Sequence, residues 1–170
     1  MRALDSLQRF DFVFSHYCLT HKFNHQTAKI SRVISRTGDG PLYALVGGVA
    51  WWLDPVIGGL FLATGLLAFL FELPVYWCLK NTIKRERPSH FPSFIKPSDQ
   101  YSLPSGHTAA AFVMAYLISE FFPSFSVFVW CWAGLIGLSR VLLGVHFLSD
   151  IAAGMLLGIF SAQLALEVLV

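Results

Sequence analysis

The chain alternates long apolar runs with three short polar interruptions. Apolar positions dominate residues 42–53, 56–79, 106–122, 125–142 and 146–168. A run of about 20 residues lets a helix cross the hydrocarbon of a bilayer. The first run is short and has to borrow flanking residues. Before residue 40 the pattern is mixed. Leu4, Leu7, Phe10, Phe14 and Tyr17 recur at helical spacing, with Asp5, Arg9 and Asp11 between them. That period predicts an amphipathic helix at the membrane interface, with a tilted spanning helix as the alternative. Residues 24–37 predict a second short helix, with Ile30, Val33 and Ile34 on one side. Its Lys29, Arg32 and Arg36 suit lipid headgroups. Gly38, Asp39, Gly40 and Pro41 then mark a tight turn.

The expected fold is all-α: a polytopic integral membrane helical bundle of five to six transmembrane helices. It forms a single domain over residues 1–170, with an N-terminal amphipathic segment over residues 1–40. Composition supports a membrane setting. Of the 170 residues, 55% are hydrophobic and 13% charged, against about 25% charged in a soluble domain. The net charge of +2 is too small to suggest nucleic acid as a partner, and the cations cluster at helix ends. Cys18, Cys78 and Cys131 have neither a disulfide framework nor zinc spacing. Asp5, Arg9 and Asp11 break the first apolar stretch, so it is not read as a cleavable signal peptide.

The three interruptions carry the candidate chemistry. The first holds Lys80, Arg87 and Pro88; the second Pro104, Ser105, Gly106 and His107; the third Ser139, Arg140, His146 and Asp150. Consecutive spans alternate in direction, so all three interruptions fall at one side of the membrane. The second opens a helix. Free N–H groups of a first helical turn and the positive end of the helix dipole attract anions, and Gly106 lets a ligand approach the backbone. Lys80, Arg87 and Arg140 add three cations, so the pocket suits phosphate. His146 and Asp150 stand four residues apart, one helical turn, so the carboxylate can orient the imidazole as a nucleophile or base. His107 can protonate a leaving oxygen and then activate water. No metal or other cofactor is expected, since the cations neutralise phosphate charge and would repel a metal ion.

Other features have plainer readings. Singly, Lys80 and Arg87 read as interfacial cations and Ser105 as a helix cap. Glu72 inside an apolar run is either a buried structural partner or a functional group. Gly154 and Gly158 permit close helix packing. The long polar loop over residues 81–103 is expected to leave Lys84, Arg85, His90, Lys96 and Tyr101 in solvent.

Lys80 followed by six residues and then Arg87-Pro88, the run from Pro104 to His107, and Ser139-Arg140 with His146 and Asp150 at fixed spacing resemble the three-part signature of the type 2 phosphatidic acid phosphatase superfamily. That superfamily also includes vanadium haloperoxidases and glucose-6-phosphatase. The resemblance covers about residues 80–150. It implies metal-independent hydrolysis of a phosphate ester or pyrophosphate, with His146 as nucleophile, forming a phosphohistidine, and His107 as acid and base. Lys80, Arg87, Ser105, Gly106 and Arg140 are then phosphate binders. Bacterial proteins of this kind act on undecaprenyl pyrophosphate, phosphatidylglycerol phosphate, phosphatidic acid or lipid A phosphates. The implied partner is therefore a phosphorylated lipid, and the implied location is the bacterial inner membrane with the site facing the periplasm. The positive-inside rule, applied to the basic loop alone, points the other way. A vanadate-dependent haloperoxidase-like activity and a non-catalytic lipid-binding protein are the alternatives.

Overall fold

Among the described residues seven α-helices follow one another in the computed structural model: α1 (Arg2–Leu19), α2 (Asn24–Arg36), α3 (Gly40–Leu53), α4 (Ile57–Ile83), α5 (Gly106–Phe121), α6 (Ser126–Leu142) and α7 (Leu148–Leu169). The structure describes residues 2–170; Met1 and the side chains of Arg2, Ala3 and Leu4 lie outside the described residues, so Leu4 in the amphipathic stripe does too. Among the described residues no strand is present. Three helical stretches among the described residues are long and apolar enough to cross a membrane: Ile57–Ile83, Pro123–Leu142 and Leu148–Leu169. The apolar helix Gly40–Leu53 is shorter.

The boundaries follow local chemistry. Pro41 sits in the first turn of α3, where a missing N–H is harmless. Asp54 ends α3, and its Oδ1 accepts the N–H groups of Val56 and Ile57 at 2.9 Å each, which starts α4. Pro74 does not divide α4, which runs 27 residues to a left-handed cap at Lys84 (φ 50°).

Helix α5 forms the axis of the core and packs against α4, α6 and α7. Its Ala109, Ala111, Val113, Ala115 and Leu117 are fully buried. Val113 and Leu117 join Phe61 and Ala68 of α4 and Ala162 and Ala165 of α7 in one apolar cluster. The expected role of the α7 glycines is met. A Cβ on Gly154 would lie 2.5 Å from the Ser105 carbonyl oxygen, and one on Gly158 would lie 2.2 Å from that of Ala109. No larger residue fits either position. Leu66, Leu70, Trp77, Leu156 and Phe160 point outward. An apolar surface of that kind suits lipid and not water.

The N-terminal helices turn their faces contrary to the apolar period. On α1 the buried stripe is Asp11, Ser15 and Leu19, while Leu7, Phe10 and Tyr17 are exposed. On α2 the buried face is Ala28, Ser31 and Ser35, while Ile30 and Val33 point outward. On α1 the inward Asp11 meets Arg85 and Ser149, and on α2 small residues let the helix lie close against α6. Helix α2 descends antiparallel along α6: Ala28 packs with Leu143 and Val145, and farther along Thr37 Oγ1 accepts the Trp132 indole N–H at 2.9 Å.

Candidate functional site

The end of α4, the start of α5 and the turn between α6 and α7 meet at one end of the bundle. A cavity of about 510 Å³ opens there. Lys80, Asp99, Gly106, His107 and His146 line its polar part; Phe61, Leu62, Leu66 and Met114 line its apolar part. The three sequence interruptions are therefore contiguous, as the alternation of spans predicts.

The cations are buried and occupied. Lys80 is 5% exposed, and its Nζ lies 2.9 Å from both carboxylate oxygens of Asp99 and 4.5 Å from the Tyr76 ring centroid. Arg87 donates from Nη2 to Asp99 Oδ1 at 2.5 Å and from Nη1 to the Val145 carbonyl at 2.5 Å. The same Nη1 is 3.4 Å from His146 Nε2. Tyr76 donates its hydroxyl to Asp99 Oδ2 at 2.9 Å. Burial pushes the Asp99 carboxyl up, but hydrogen bonds and charge from Lys80, Arg87 and Tyr76 outweigh it and hold the pKa at about 2. A carboxylate thus sits where two candidate phosphate cations converge. Arg140 is buried too. Its Nη1 donates to Ser35 Oγ at 2.6 Å, and its Nε has no partner.

His146 departs from expectation in one respect. Helix α7 begins at Leu148, so His146 precedes it and does not share a helical turn with Asp150. The backbone at Phe147 is extended, which swings His146 off the helix axis. His146 Nδ1 is 3.6 Å from Asp150 Oδ2, an electrostatic contact but too long for a hydrogen bond, and Nδ1 has no other partner. Asp150 instead spends its oxygens elsewhere: Oδ2 accepts the Phe147 N–H at 2.8 Å and Oδ1 accepts Arg85 Nη1 at 2.7 Å. Burial lowers the His146 pKa to about 4, with Asp150 opposing the shift and Arg87 and Arg140 reinforcing it. The imidazole is therefore neutral near pH 7 and keeps a lone pair.

On the facing helix, Ser105 is fully buried at the N-cap of α5. Its N–H reaches the Asp150 carbonyl at 3.1 Å, and its hydroxyl accepts from Thr108 Oγ1 at 2.9 Å. A Cβ on Gly106 would lie 3.0 Å from the Tyr76 ring, so this glycine admits Tyr76 to the helix start. His107 Nε2 is 3.1 Å from Asp39 Oδ1.

Several site residues were not foreseen. Arg85, expected in solvent, bridges Asp11 and Asp150 at 2.7 Å each and donates to Ser149 Oγ at 2.5 Å. Asp11 is 1% exposed; it accepts the Ser149 N–H at 3.0 Å and also binds the Ser149 hydroxyl. Asp99, Tyr76 and Asp39 complete the set. The one available signal was Asp11 in register with Ser15, four residues on, which breaks the apolar stripe of α1. Lys84, His90 and Lys96 are exposed, and Tyr101 is half-buried. Gly144 (φ +74°) closes the α6–α7 turn against the loop; a Cβ there would lie 2.2 Å from the Pro92 carbonyl. Among the described residues no group of three His, Cys, Asp or Glu side chains is placed to hold a metal ion.

Residues 57–169 match the sequence model of the PAP2 superfamily. Phosphatidylglycerophosphatase B of Bacillus subtilis is 34% identical over 130 residues, covering 70% of this chain and 62% of that protein. A probable lipid phosphate phosphatase beta of Arabidopsis thaliana is 34% identical over 141 residues, covering 64% of this chain and 66% of that protein. The chain thus spans slightly under two thirds of the length of these curated relatives. The crystal structure of a transmembrane PAP2 type phosphatidylglycerolphosphate phosphatase from Bacillus subtilis superposes with a TM-score of 0.77 at 25% identity, covering 96% of this chain and 86% of that one.

Proposed function

This chain belongs to the PAP2 superfamily, and from that premise we propose that it is a metal-independent membrane lipid phosphatase. One observation carries the reading. Two imidazoles and the buried Lys80 line the polar end of a largely apolar cavity, with Arg87 held against His146 and Asp99 beside it, inside a bundle with a lipid-facing surface. An amphiphile fits that gradient: its phosphate meets the charges and its chain follows the apolar wall.

The proposed reaction starts when the substrate phosphate takes Lys80 and Arg87 from Asp99. Arg140, the Ser105 hydroxyl and the amides at Gly106 complete the cradle. His146 Nε2 attacks phosphorus in line, forming the P–N bond as the P–O bond to the lipid breaks. His107, one ring nitrogen held by Asp39, gives its proton to the departing oxygen. It then takes a proton from water, whose oxygen attacks phosphorus, breaks the P–N bond and frees inorganic phosphate. The cations and amides stabilise the charge on the equatorial oxygens. Asp150 steadies the imidazolium character that builds on His146 by charge across 3.6 Å.

The substrate class is a phosphate monoester or pyrophosphate on a lipid. Phosphatidylglycerol phosphate is the first member to test, given the names of two relatives; undecaprenyl pyrophosphate, phosphatidic acid and lipid A phosphates follow. We place the site at the periplasmic face of the bacterial inner membrane, with α3 to α7 crossing and α1 and α2 on the side of the site. Residues 1–170 act as one domain, with residues 80–150 supplying the chemistry and residues 1–40 bracing it. Phosphate release from this lipid panel by detergent-purified protein in EDTA tests the proposal. A folded sample that releases none overturns it.

A further inference from the structure

The apolar wall of the cavity contains two polar groups that the proposed reaction leaves unused. Glu72 of α4 is 2% exposed and lines the cavity. No described residue hydrogen-bonds to its carboxylate. Tyr43 of α3 lines the same cavity at 6% exposure, and its hydroxyl has no hydrogen-bond partner among the described residues. Its ring packs against Phe69, 6.1 Å away, and Trp132, 6.0 Å away, at the cavity wall. Phe69 stands three residues before Glu72 on α4, which brings the tyrosine and the carboxylate to neighbouring parts of one wall. Unpaired buried polar groups are costly, and a carboxylate especially so, unless a partner arrives.

Their depth says what that partner is. Glu72 stands one helical turn before Tyr76, about 6 Å along the helix axis. The Lys80 ammonium folds back over the Tyr76 ring at 4.5 Å. A phosphate held by Lys80 therefore sits near the level of Tyr76, and Glu72 faces the part of the molecule a few bonds farther in. That is the backbone of a glycerol or sugar, not the middle of a hydrocarbon tail.

We propose that Glu72 and Tyr43 form a polar subsite that accepts a hydrogen bond from a free hydroxyl on the lipid backbone next to the phosphate. The subsite rests on the lipid phosphatase reading above and adds a selectivity to it. Glu72 accepts a hydrogen bond from the lipid hydroxyl, and the Tyr43 hydroxyl donates one to the same lipid oxygen. An isoprenoid pyrophosphate brings its inner phosphate to that depth, an anion that accepts hydrogen bonds and has none to donate to Glu72. Lipids with a hydroxylated backbone are therefore preferred over isoprenoid ones.

The test compares kcat/KM for 1-oleoyl-glycerol 3-phosphate with that for its 2-deoxy analogue, which lacks only the backbone hydroxyl. The wild type is expected to favour the hydroxylated lipid by about tenfold, as befits a hydrogen bond whose loss leaves a buried acceptor unsatisfied. Glu72→Leu should bring that ratio close to one, through KM more than kcat. Glu72→Gln, whose amide oxygen still accepts, should keep part of the preference. Tyr43→Phe removes one oxygen atom, and should reduce the ratio severalfold even if Glu72→Leu fails to fold. A wild-type ratio near one, with both lipids hydrolysed, overturns this subsite and leaves the phosphatase reading intact. So does a ratio unchanged in Tyr43→Phe and Glu72→Gln. No release from either lipid overturns the phosphatase reading and the subsite with it.

Discussion

The junction of α5 with α7 and the loop over residues 84–105 bring charge to the same cavity, but different forces hold them. The junction is fixed by backbone contact. Gly154 and Gly158 let α7 lie against the Ser105 and Ala109 carbonyls, and Ser105 and Asp150 are both fully buried and joined main chain to main chain at 3.1 Å. The loop is held by charge: Asp99 on Lys80 and Arg87, and Arg85 on Asp11 and Asp150. Asp99 is about a third exposed, and a phosphate could take over every bond its carboxylate makes. The junction sets directions, since it cannot shift without a clash. The loop contributes contacts that a ligand can replace.

Arg85 sharpens that contrast most, because it is the loop residue that reaches into the junction. Arg85→Ala leaves Asp11 and Asp150 as buried carboxylates without their cation, which costs about 3–5 kcal/mol. The expected result is a large fall in the thermal midpoint in detergent together with a fall in kcat. Asp11→Asn should recover much of that stability when combined with Arg85→Ala; a double variant as unstable as the single would separate Asp11 from the network.

Gly158→Ala probes the junction alone. Its Cβ meets the Ala109 carbonyl oxygen, and overpacking of this kind costs about 1–3 kcal/mol. Scanning calorimetry or a fluorescence melt should show the loss, and an unchanged midpoint would mean the helices can part there.

Asp99→Asn tests replaceability. With the charge gone, Asp99 no longer competes with vanadate for Lys80 and Arg87, and the inhibition constant for vanadate should fall about tenfold, roughly 1.4 kcal/mol. Weaker inhibition would show instead that Asp99 organises the cations.

The smallest effect concerns pH. His146 is neutral above about pH 4 and protonated below it. Only the neutral form carries a lone pair, so kcat/KM for a soluble phosphate ester should fall as pH drops through about 4. An acid limb near the ordinary histidine value of 6.5 would contradict the buried environment described.

Much of the architecture was legible because helices in lipid leave a simple trace. Apolar runs and the polar turns between them marked α4, α5, α6 and α7 to within a few residues. Alternating direction was enough to gather Lys80, His107 and His146 at one end. Three things were hidden. The apolar stripes of α1 and α2 face outward: Asp11 meets Arg85 and Ser149, and Ala28 lets α2 lie close on the end of α6, contacts that sequence periodicity does not reveal. Arg85 and Asp99 find partners 74 and 19 residues away, and a loop carries no period from which such pairs can be read. The start of α7 two residues after His146 depends on the extended backbone at Phe147, so a spacing of four residues did not mean a shared turn. Glu72 was legible as an anomaly in an apolar run, but its empty surroundings needed the packing of α3 and α4.

The most direct test of the central claim is phosphate release from phosphatidylglycerol phosphate in the presence of EDTA, by the wild type and by His146→Ala. The account predicts release by the wild type and a loss of at least about 10³-fold in the variant, as expected when a nucleophile is removed. Equal release by both proteins would contradict it, because the bond to phosphorus would then form somewhere other than on His146.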